Sequence, residues 1–315
     1  MSAPSRTPID LVGYGLAVAA AILFSAKGIF IKLAYIEGVP TETVLALRML
    51  FAMPFFVAIG LFSLWRDPAL RARLGLRRVL TVAAVGALGY YVSSWLDFAG
   101  LNYVSAQYAR LVLFTYPFIS FALGVWLFKD MAFKGAVPAL LLSYFGLVVQ
   151  FVWTLGVDPD GIWIGTGLIL CAAFTYALYL HLARAQMDHV GPRIFTCIGM
   201  GFAGVLAIGH NWVMHGAEQF AGLSPTVWLY GLGLGLLCTV APGFLLNVAI
   251  SRIGARTVAT TGSYGPVATI VLAVFVLGEV FTPWHALGAA MVIGGSVLFS
   301  RAEARARAAR AAGAD

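Results

Sequence analysis

The chain has 315 residues, of which 61% are apolar and only 10% are Asp, Glu, Lys or Arg, and its formal net charge is +7. Because a soluble domain carries about 25% charged residues, this composition excludes a soluble enzyme, a disordered chain and a nucleic-acid-binding protein. The mean hydropathy of +0.91 indicates a polytopic membrane protein. Cys171, Cys197 and Cys238 lie far apart in apolar runs, a spacing that predicts neither a disulfide framework nor a metal site.

Ten apolar runs are long enough to cross a bilayer, which requires roughly 20 mostly apolar residues. We therefore predict an all-α polytopic membrane protein with ten transmembrane helices. The connecting segments are too short to hold a second folded domain, and the first run is too long for the apolar part of a signal peptide. The predicted spans are 11–35, 42–64, 78–97, 101–127, 134–153, 161–183, 194–213, 226–248, 256–278 and 284–300.

The positive charges alternate from one connection to the next. Four of the 20 lysines and arginines lie inside predicted spans, and all the others fall at the two termini or in alternate connections. The opposite connections carry acidic residues instead, among them Glu37, Asp97, Asp158 and Glu279. By the positive-inside rule we expect cytoplasmic N- and C-termini and a multi-pass protein of the cytoplasmic (inner) membrane.

The two halves of the chain resemble each other. A shift of 149 residues aligns 85–130 with 234–279 without a gap. With five helices in each half, the second half enters the membrane from the opposite face, and such inverted repeats are typical of secondary transporters that work by alternating access. We predict two repeats, 1–155 and 156–315, the second ending in a short basic cytoplasmic tail. The aligned pairs include Gly86 with Gly235, Pro117 with Pro266, and Asp130 with Glu279.

Each half also has a proline inside its fourth helix, and in the second half Pro266 is followed by Gly278-Glu279 and a glycine-rich last helix. This pattern resembles the EamA family of the drug/metabolite transporter superfamily, although Asp130 stands where the family more often has glutamate. The resemblance implies ten helices in two inverted halves and movement of small metabolites, often amino acids and often outward. It also implies a central cavity lined by helices 1–4 and 6–9.

Charged residues inside a membrane are costly and usually functional. Lys32 and Arg48 lie within two turns of the external face, where we expect them to snorkel to the headgroups. Lys27 and Arg110 each lie about nine residues from the outer helix end, roughly 13 Å deep at 1.5 Å per residue. Because no Asp or Glu is expected at that depth in any predicted span, the two cations predict a site for a carboxylate or phosphate.

A structural role for Lys27 and Arg110, in which both donate hydrogen bonds to helix carbonyls, stays open beside the binding role. A desolvated lysine can lose its proton, so Lys27 is the candidate proton carrier if transport is coupled to protons. The missing carboxylate argues against an Asp or Glu relay and leaves facilitated flow or exchange at least as plausible.

Polar and aromatic residues extend the predicted site. On helix 4 such residues follow the spacing i, i+4, i+7, i+11, which predicts one inward face. Helix 9 carries a similar stripe that begins at Thr257, Phe24 lies one turn from Lys27, and the outer half of helix 3 is aromatic, although Trp95 also fits an interfacial belt. The predicted substrate-binding residues are Lys27, Arg110, Gln107, Tyr103, Phe114, Phe24, Tyr90, Trp95, Thr261 and Tyr264.

Three prolines, Pro117, Pro242 and Pro266, interrupt helical hydrogen bonding inside predicted spans. We predict that they are hinges for a rocking motion of one half against the other. Helix kinking for packing alone is the alternative.

The leading hypothesis is a secondary transporter that exports amino acids or other small carboxylates, without a cofactor or metal. The alternative within transport is an exchanger of phosphorylated or nucleotide-like organic anions. An intramembrane enzyme, an ATP-driven pump and a channel or receptor are disfavoured, because we find no catalytic constellation, no P-loop and no sizeable soluble segment. The expected partners are a small-molecule substrate and the lipid bilayer, with a coupling proton or counter-substrate allowed, no nucleic acid, and the oligomeric state left open.

Overall fold

The computed structural model describes residues 10–68, 71, 74–127, 136–157, 160–216, 218–254, 258 and 264–311. This part of the chain consists of helices and turns and contains no strand. Nine of its helices are long and apolar enough to cross a membrane, and a further apolar helix, of 14 residues, is shorter. The predicted all-α membrane fold is confirmed, whereas the count of ten spans and the orientation of the termini remain predictions.

We number the apolar helices α1 to α10 in chain order. A short helical turn, Glu218–Ala221, lies between α7 and α8, and the last helix continues beyond its apolar part to Ala311. The helices are α1 Leu11–Ile36, α2 Thr41–Arg66, α3 Leu76–Gly100, α4 Ala106–Trp126, α5 Ala136–Gly156, α6 Ile162–Val190, α7 Pro192–His215, α8 Pro225–Gly254, α9 Tyr264–Leu277 and α10 Pro283–Ala306.

The boundary between α3 and α4 differs from the prediction in a way that affects the site. Helix α3 ends at Gly100, so Asp97 lies inside the helix rather than in a connection. Residues 101–105 form a turn, and α4 begins at Ala106 because the Ser105 hydroxyl accepts a hydrogen bond from the Tyr108 N–H at 3.2 Å and so caps the helix. Helix 4 therefore starts five residues later than predicted.

Four of the helices are irregular near their middles. Helix α1 is interrupted at Ala26, between Leu11–Ser25 and Lys27–Ile36. Helix α4 is interrupted after Leu113 and restarts at Tyr116, directly before Pro117. Helices α3 and α8 contain π-helical segments at Leu88–Val92 and Gly233–Val240. Interruptions and π-helical segments of this kind often mark functional positions in membrane helices.

The helix packing is symmetric when the first and second sets of five helices are exchanged. The exchange replaces each helix by the one five positions along the chain. Helix α2 packs on α7, and α5 packs on α10, so each of these two contacts joins a helix to its own counterpart. Helix α1 packs on α8, and its counterpart is the contact of α6 with α3. This pattern agrees with the internal repeat inferred from the sequence.

Glycines separated by 149 residues make equivalent close contacts. Gly86 of α3 lies against the backbone of α7 at Gly199, and Gly235 of α8 lies against the backbone of α2 between Arg48 and Ala52. At the interface of α5 and α10, Gly146 lies against the backbone of α10, and Gly295 lies against the backbone of α5. Small residues allow such close approach of membrane helices.

The largest buried apolar cluster takes most of its residues from α1, α2, α4 and α7 and includes members of every other apolar helix. Ile31, Leu47, Phe98, Tyr108 and Met200 are among its buried members. This core surrounds the charged residues described next and restricts their side chains.

Candidate functional site

Lys27 and Asp97 form an ion pair inside the protein. The Lys27 Nζ lies 2.6 Å from the Asp97 Oδ2. Lys27 is the first residue after the interruption of α1, and Asp97 lies in the last turn of α3. The lysine side chain is 21% exposed and the aspartate side chain 6%. The expectation that Lys27 has no acidic partner is therefore wrong, because α3 extends past residue 97 and carries Asp97 into the interior.

Arg48 of α2 is also buried rather than directed to the membrane surface. Its Nε donates to the Thr239 hydroxyl and one Nη donates to the Ser94 hydroxyl, both at 3.0 Å. Thr239 lies in the π-helical segment of α8, and Ser94 lies just after the π-helical segment of α3. The predicted snorkelling of Arg48 is therefore wrong, because two interior hydroxyls bind its guanidinium.

The ring of Phe98 lies close to two of these cations. The Lys27 Nζ and the Arg48 guanidinium carbon each lie 5.7 Å from the ring centroid. A desolvated cation at this distance from a ring face is stabilised by the ring quadrupole. Phe98 therefore lowers the cost of holding the two positive charges near each other.

Arg110 of α4 approaches the second half of the protein. Its Nε is buried and has no hydrogen-bond partner among the residues that the structure describes. A methyl group on Gly265 of α9 would lie 2.9 Å from the Arg110 Nη2, so the arginine uses space that only a glycine leaves open. A buried donor without a partner is costly and points to a ligand that would satisfy it.

Lys27, Arg48, Asp97 and Arg110 together form what we call the central charge cluster. Asp97 interacts electrostatically with all three cations, and Lys27 also interacts with both arginines. Three cations around one carboxylate leave an excess of positive charge. Because buried charges are stable only when they are paired or solvated, this arrangement favours an anionic ligand.

Helices α1 and α9 are joined beside the cluster. The Ser25 hydroxyl donates to the Gly265 carbonyl at 2.8 Å, and the Thr269 hydroxyl donates to the Ser25 carbonyl at 3.2 Å. Ser25 is two residues before Lys27, and Gly265 lies against Arg110. These hydrogen bonds therefore connect the interruption of α1 to the helix that Arg110 contacts.

A row of tyrosines extends from Arg110 towards α7. The rings of Tyr116 and Tyr176 are 5.1 Å apart, and those of Tyr176 and Tyr179 are 5.7 Å apart. The Tyr179 hydroxyl donates to the Tyr90 hydroxyl at 2.7 Å. Of these four residues, only Tyr90 was among the sequence-predicted binding residues.

The predicted binding face of α4 does not form as expected. Tyr103 lies in the turn before the helix, is 42% exposed and contacts Gly161 and Gly165 of α6, because α4 begins after it. The backbone N–H groups of Ala106 and Gln107 donate to Glu279 at 2.6 and 3.2 Å, and the Gln107 amide donates to the Val280 carbonyl.

Gln107 therefore attaches the start of α4 to the connection between α9 and α10, away from the cluster. Phe114 lies at the interruption of α4 and packs on the main apolar cluster. Of the predicted face, Arg110 alone belongs to the central charge cluster.

The remaining candidates are dispersed. Phe24 is 37% exposed, and Tyr264, at the start of the described part of α9, is 56% exposed. The Trp95 ring nitrogen donates to Glu42 at 3.0 Å, and Glu42 also contacts His215 of α7 at 3.2 Å. These contacts tie α2, α3 and α7 together. Thr257 and Thr261 lie outside the described residues.

The three predicted hinge prolines lie at or near helix irregularities. Pro117 is the second residue after α4 restarts, and Pro242 is the second residue after the π-helical segment of α8. Pro266 is buried at the start of the described part of α9, next to Gly265. Their role in motion stays a prediction.

Sequence reasoning missed Asp97 and Arg48 as members of the site. One signal could have found Asp97: an intramembrane lysine normally pairs with an acid, and Asp97 stood at the margin of a predicted span. Because charged residues within membrane spans usually face the interior of the helix bundle, Arg48 could also have been predicted there. Within the described residues, no group of three or more His, Cys, Asp and Glu could hold a metal ion.

Comparison with known proteins identifies the family of the chain. The profile described as the EamA-like transporter family matches residues 11–152 and 163–301. The uncharacterized transporter YcbK of Bacillus subtilis is 30% identical over 287 residues, which cover 88% of both chains. An uncharacterized transporter of Synechocystis is 25% identical over 312 residues, covering 90% of this chain and 92% of its own.

The fold also has a solved counterpart. A protein of known crystal structure superposes with a TM-score of 0.60, covering 91% of this chain and 98% of its own, at 17% sequence identity. At this identity the likeness concerns the fold alone. The two stretches that match the family profile together span most of the chain, and nine of the described helices are long and apolar enough to cross a membrane. The protein is therefore a multi-pass membrane protein that belongs to the EamA-like transporter family.

Proposed function

We infer that this transporter moves small organic anions through the central charge cluster, with amino acids or other small carboxylates as the first candidates. One observation carries the proposal: three cations, the buried Arg48 and the half-buried Lys27 and Arg110, interact with a single buried carboxylate. The Nε of Arg110 has no partner among the described residues. A carboxylate would satisfy this donor through the planar fork that an arginine offers.

The tyrosine row supports a substrate with an apolar part. Tyr116 and Tyr176 stand next to Arg110, so a carboxylate on the arginine would place its side chain against their rings. An exchanger of phosphorylated or nucleotide-like anions is the second candidate, because the excess positive charge of the cluster equally suits a phosphate group.

We propose alternating access as the mode of transport, in the cytoplasmic membrane and in the outward direction. The two halves, 1–155 and 156–315, would rock against each other, with Pro117, Pro242 and Pro266 as hinges. Contacts between the two halves at the cluster support this proposal, because Arg48 binds Thr239 and Arg110 lies against Gly265. The proposal involves no covalent chemistry, cofactor or metal.

The test is counterflow in proteoliposomes that contain the purified protein. Labelled L-amino acids, including L-glutamate, and labelled succinate are offered to the wild type and to the Lys27→Ala and Arg110→Ala variants. Arg77→Ala removes an exposed cation at the start of α3 and is the matched control.

We expect counterflow by the wild type and by Arg77→Ala, and its loss in both cluster variants although they fold. Counterflow that persists in both cluster variants would make these cations structural. If the wild type moves none of these compounds but exchanges sugar phosphates or nucleotides, the second candidate replaces the first.

A further inference from the structure

We propose that Asp97 competes with the transported anion for Lys27 and takes up a proton when the anion replaces it, so that one proton accompanies each anion. This inference rests on the proposed function, because it requires an anion at the central charge cluster.

Asp97 depends on Lys27 for its stability in the interior. Within the described part of the chain, its carboxylate accepts a side-chain hydrogen bond from the Lys27 ammonium and from no other residue. The residue is 4% exposed, so bulk water has little access to its carboxylate. An ionised carboxylate without a partner is strongly disfavoured in such surroundings, and neutralisation by a proton is the usual outcome.

Lys27 is the cation that an incoming anion can take most easily. Its side chain is 21% exposed, whereas Arg48 is 8% exposed and is held by two hydroxyls. Arg110 offers the buried Nε that lacks a partner. An anion that bridges Arg110 and Lys27 would therefore accept a hydrogen bond from the Arg110 Nε and replace Asp97 as the partner of Lys27.

Among the described residues, Asp97 is the one carboxylate that interacts electrostatically with Lys27, Arg48 and Arg110. To its surroundings, helix α1 contributes Lys27 and Tyr35, α2 contributes Arg48, and α4 contributes Arg110. The Tyr35 hydroxyl is occupied, because it donates to the Phe98 carbonyl at 2.8 Å.

The other helix packed on this segment is α6. It contacts the same part of α3 through Ile169 and Ala172, which do not titrate. Nearby Glu42 is held by Trp95 and His215.

The charges balance in this step. The anion's carboxylate brings one negative charge to Lys27, and the proton neutralises the carboxylate of Asp97. For an anion with one net negative charge, such as L-glutamate, the cluster therefore keeps the same net charge with and without the anion, which avoids adding an uncompensated charge to the protein interior. An anion that binds to Arg48 and Arg110 alone would leave the ion pair intact and would take up no proton.

The experiment measures protons directly. Succinate or L-glutamate at pH 7.5 is titrated into the purified protein in weakly buffered detergent solution, and the pH change and the heat of binding are followed together. We expect about one proton taken up per bound anion by the wild type, since linkage relates this number to the protonation change on binding. Asp97→Glu keeps an acid at the position and should keep the uptake.

Asp97→Asn should bind the anion without proton uptake. If that variant does not fold because Lys27 is left unpaired, infrared difference spectra of the wild type with and without the anion take its place. They should show a new protonated carboxyl band that shifts in Asp97→Glu, and its absence overturns the inference. Glu37→Gln, at an exposed acid after α1, is the matched control and should behave as the wild type.

Binding by the wild type without proton uptake, or equal uptake by Asp97→Asn, overturns this inference and leaves the proposed function intact. Absence of succinate and L-glutamate binding by the wild type overturns the carboxylate proposal and this inference with it.

Discussion

The two halves of this transporter share a scaffold and differ in their interior chemistry. Gly86 and Gly235, 149 residues apart, make equivalent helix contacts, and the third helix of each half contains a π-helical segment. Among the described residues, in contrast, the two buried charged side chains, Arg48 and Asp97, both belong to the first half. Between Arg193 and Arg252 the second half has a single Asp, Glu, Lys or Arg, Glu218, and it lies outside the long helices.

This difference assigns distinct roles to the halves. The first half supplies the central charge cluster on α1 to α4, and the second half supplies neutral groups that hold it, among them Thr239 and Gly265. Under the proposed function, two halves with equivalent packing and with the charges in one half would bind the anion asymmetrically and move symmetrically. The predictions below separate these two properties.

The largest effect is expected from removing a charge in the first half. Arg110→Gln should lower the counterflow rate by about 10- to 100-fold, since a hydrogen bond to a charged group contributes about 1.5–3 kcal/mol. The matched change in the second half is Tyr176→Phe, which removes a neutral hydroxyl near Arg110 and should cost less than about fivefold. Equal losses in both variants would contradict the division of roles.

A smaller loss is expected when the second half is changed where it meets the cluster. Gly265→Ala places a methyl group 2.9 Å from the Arg110 Nη2 and 3.4 Å from the Ser25 hydroxyl. The guanidinium must shift, and we expect about a tenfold weaker apparent affinity in the counterflow assay. Gly167→Ala, where no atom lies within 4 Å, is the control and should transport as the wild type. An unchanged affinity for Gly265→Ala would separate Arg110 from the binding site.

The shared scaffold predicts equal destabilisation at the two repeat-related glycines. A methyl group on Gly86 would overlap the backbone at Gly199, and one on Gly235 would lie 2.6 Å from the Phe51 Cβ. Overpacking of this kind costs about 1–3 kcal/mol, so both alanine variants should unfold several degrees below the wild type in detergent. Destabilisation at one position only would show that the two contacts are not equivalent.

The smallest effect is expected at the ends of α1 and α8. Asp10 accepts hydrogen bonds from Arg252 at 2.8 Å and from the Gly13 N–H at 3.0 Å, and these contacts hold the pKa of Asp10 below its ordinary value. A lowered pKa contributes stability at neutral pH that is lost as the pH falls through that lowered value.

Because this pair is exposed, Asp10→Asn should lower the unfolding temperature at pH 7 only slightly, and the difference from the wild type should vanish on acidification below about pH 4. Transport at pH 7 should be unchanged. A difference that grows on acidification would contradict the role assigned to the pair.

The sequence predicts the membrane fold well because its signals are strong and local. Long apolar runs, alternating positive charges and a repeated spacing of glycine and proline each arise from a single physical constraint of the bilayer or of helix packing. The site is harder to predict, since it depends on where helices end. The predicted end of α3 was three residues too early, which placed Asp97 in a connection outside the membrane. The predicted start of α4 was five residues too early, which placed Tyr103 on the helix although it lies in the preceding turn.

Arg48 shows a second limit. Its distance from the helix end matched a snorkelling residue, but its true partners, Ser94 and Thr239, come from two other helices and are brought together by the tertiary fold. The tyrosine row is similar, because Tyr116, Tyr176 and Tyr179 have ordinary apolar neighbours in sequence. Periodicity within one helix cannot identify contacts of this kind.

The central claim, that the cluster binds an anionic group, is tested most directly by ligand-dependent thermal stability. The purified wild type and Arg110→Gln are heated with succinate, L-glutamate or L-alanine, and with the matched amides of these compounds. We predict that at least one carboxylate raises the unfolding temperature of the wild type, as a ligand bound to the folded state must, and that its amide and the variant show no rise. Stabilisation by the amide equal to that by the acid would contradict the claim.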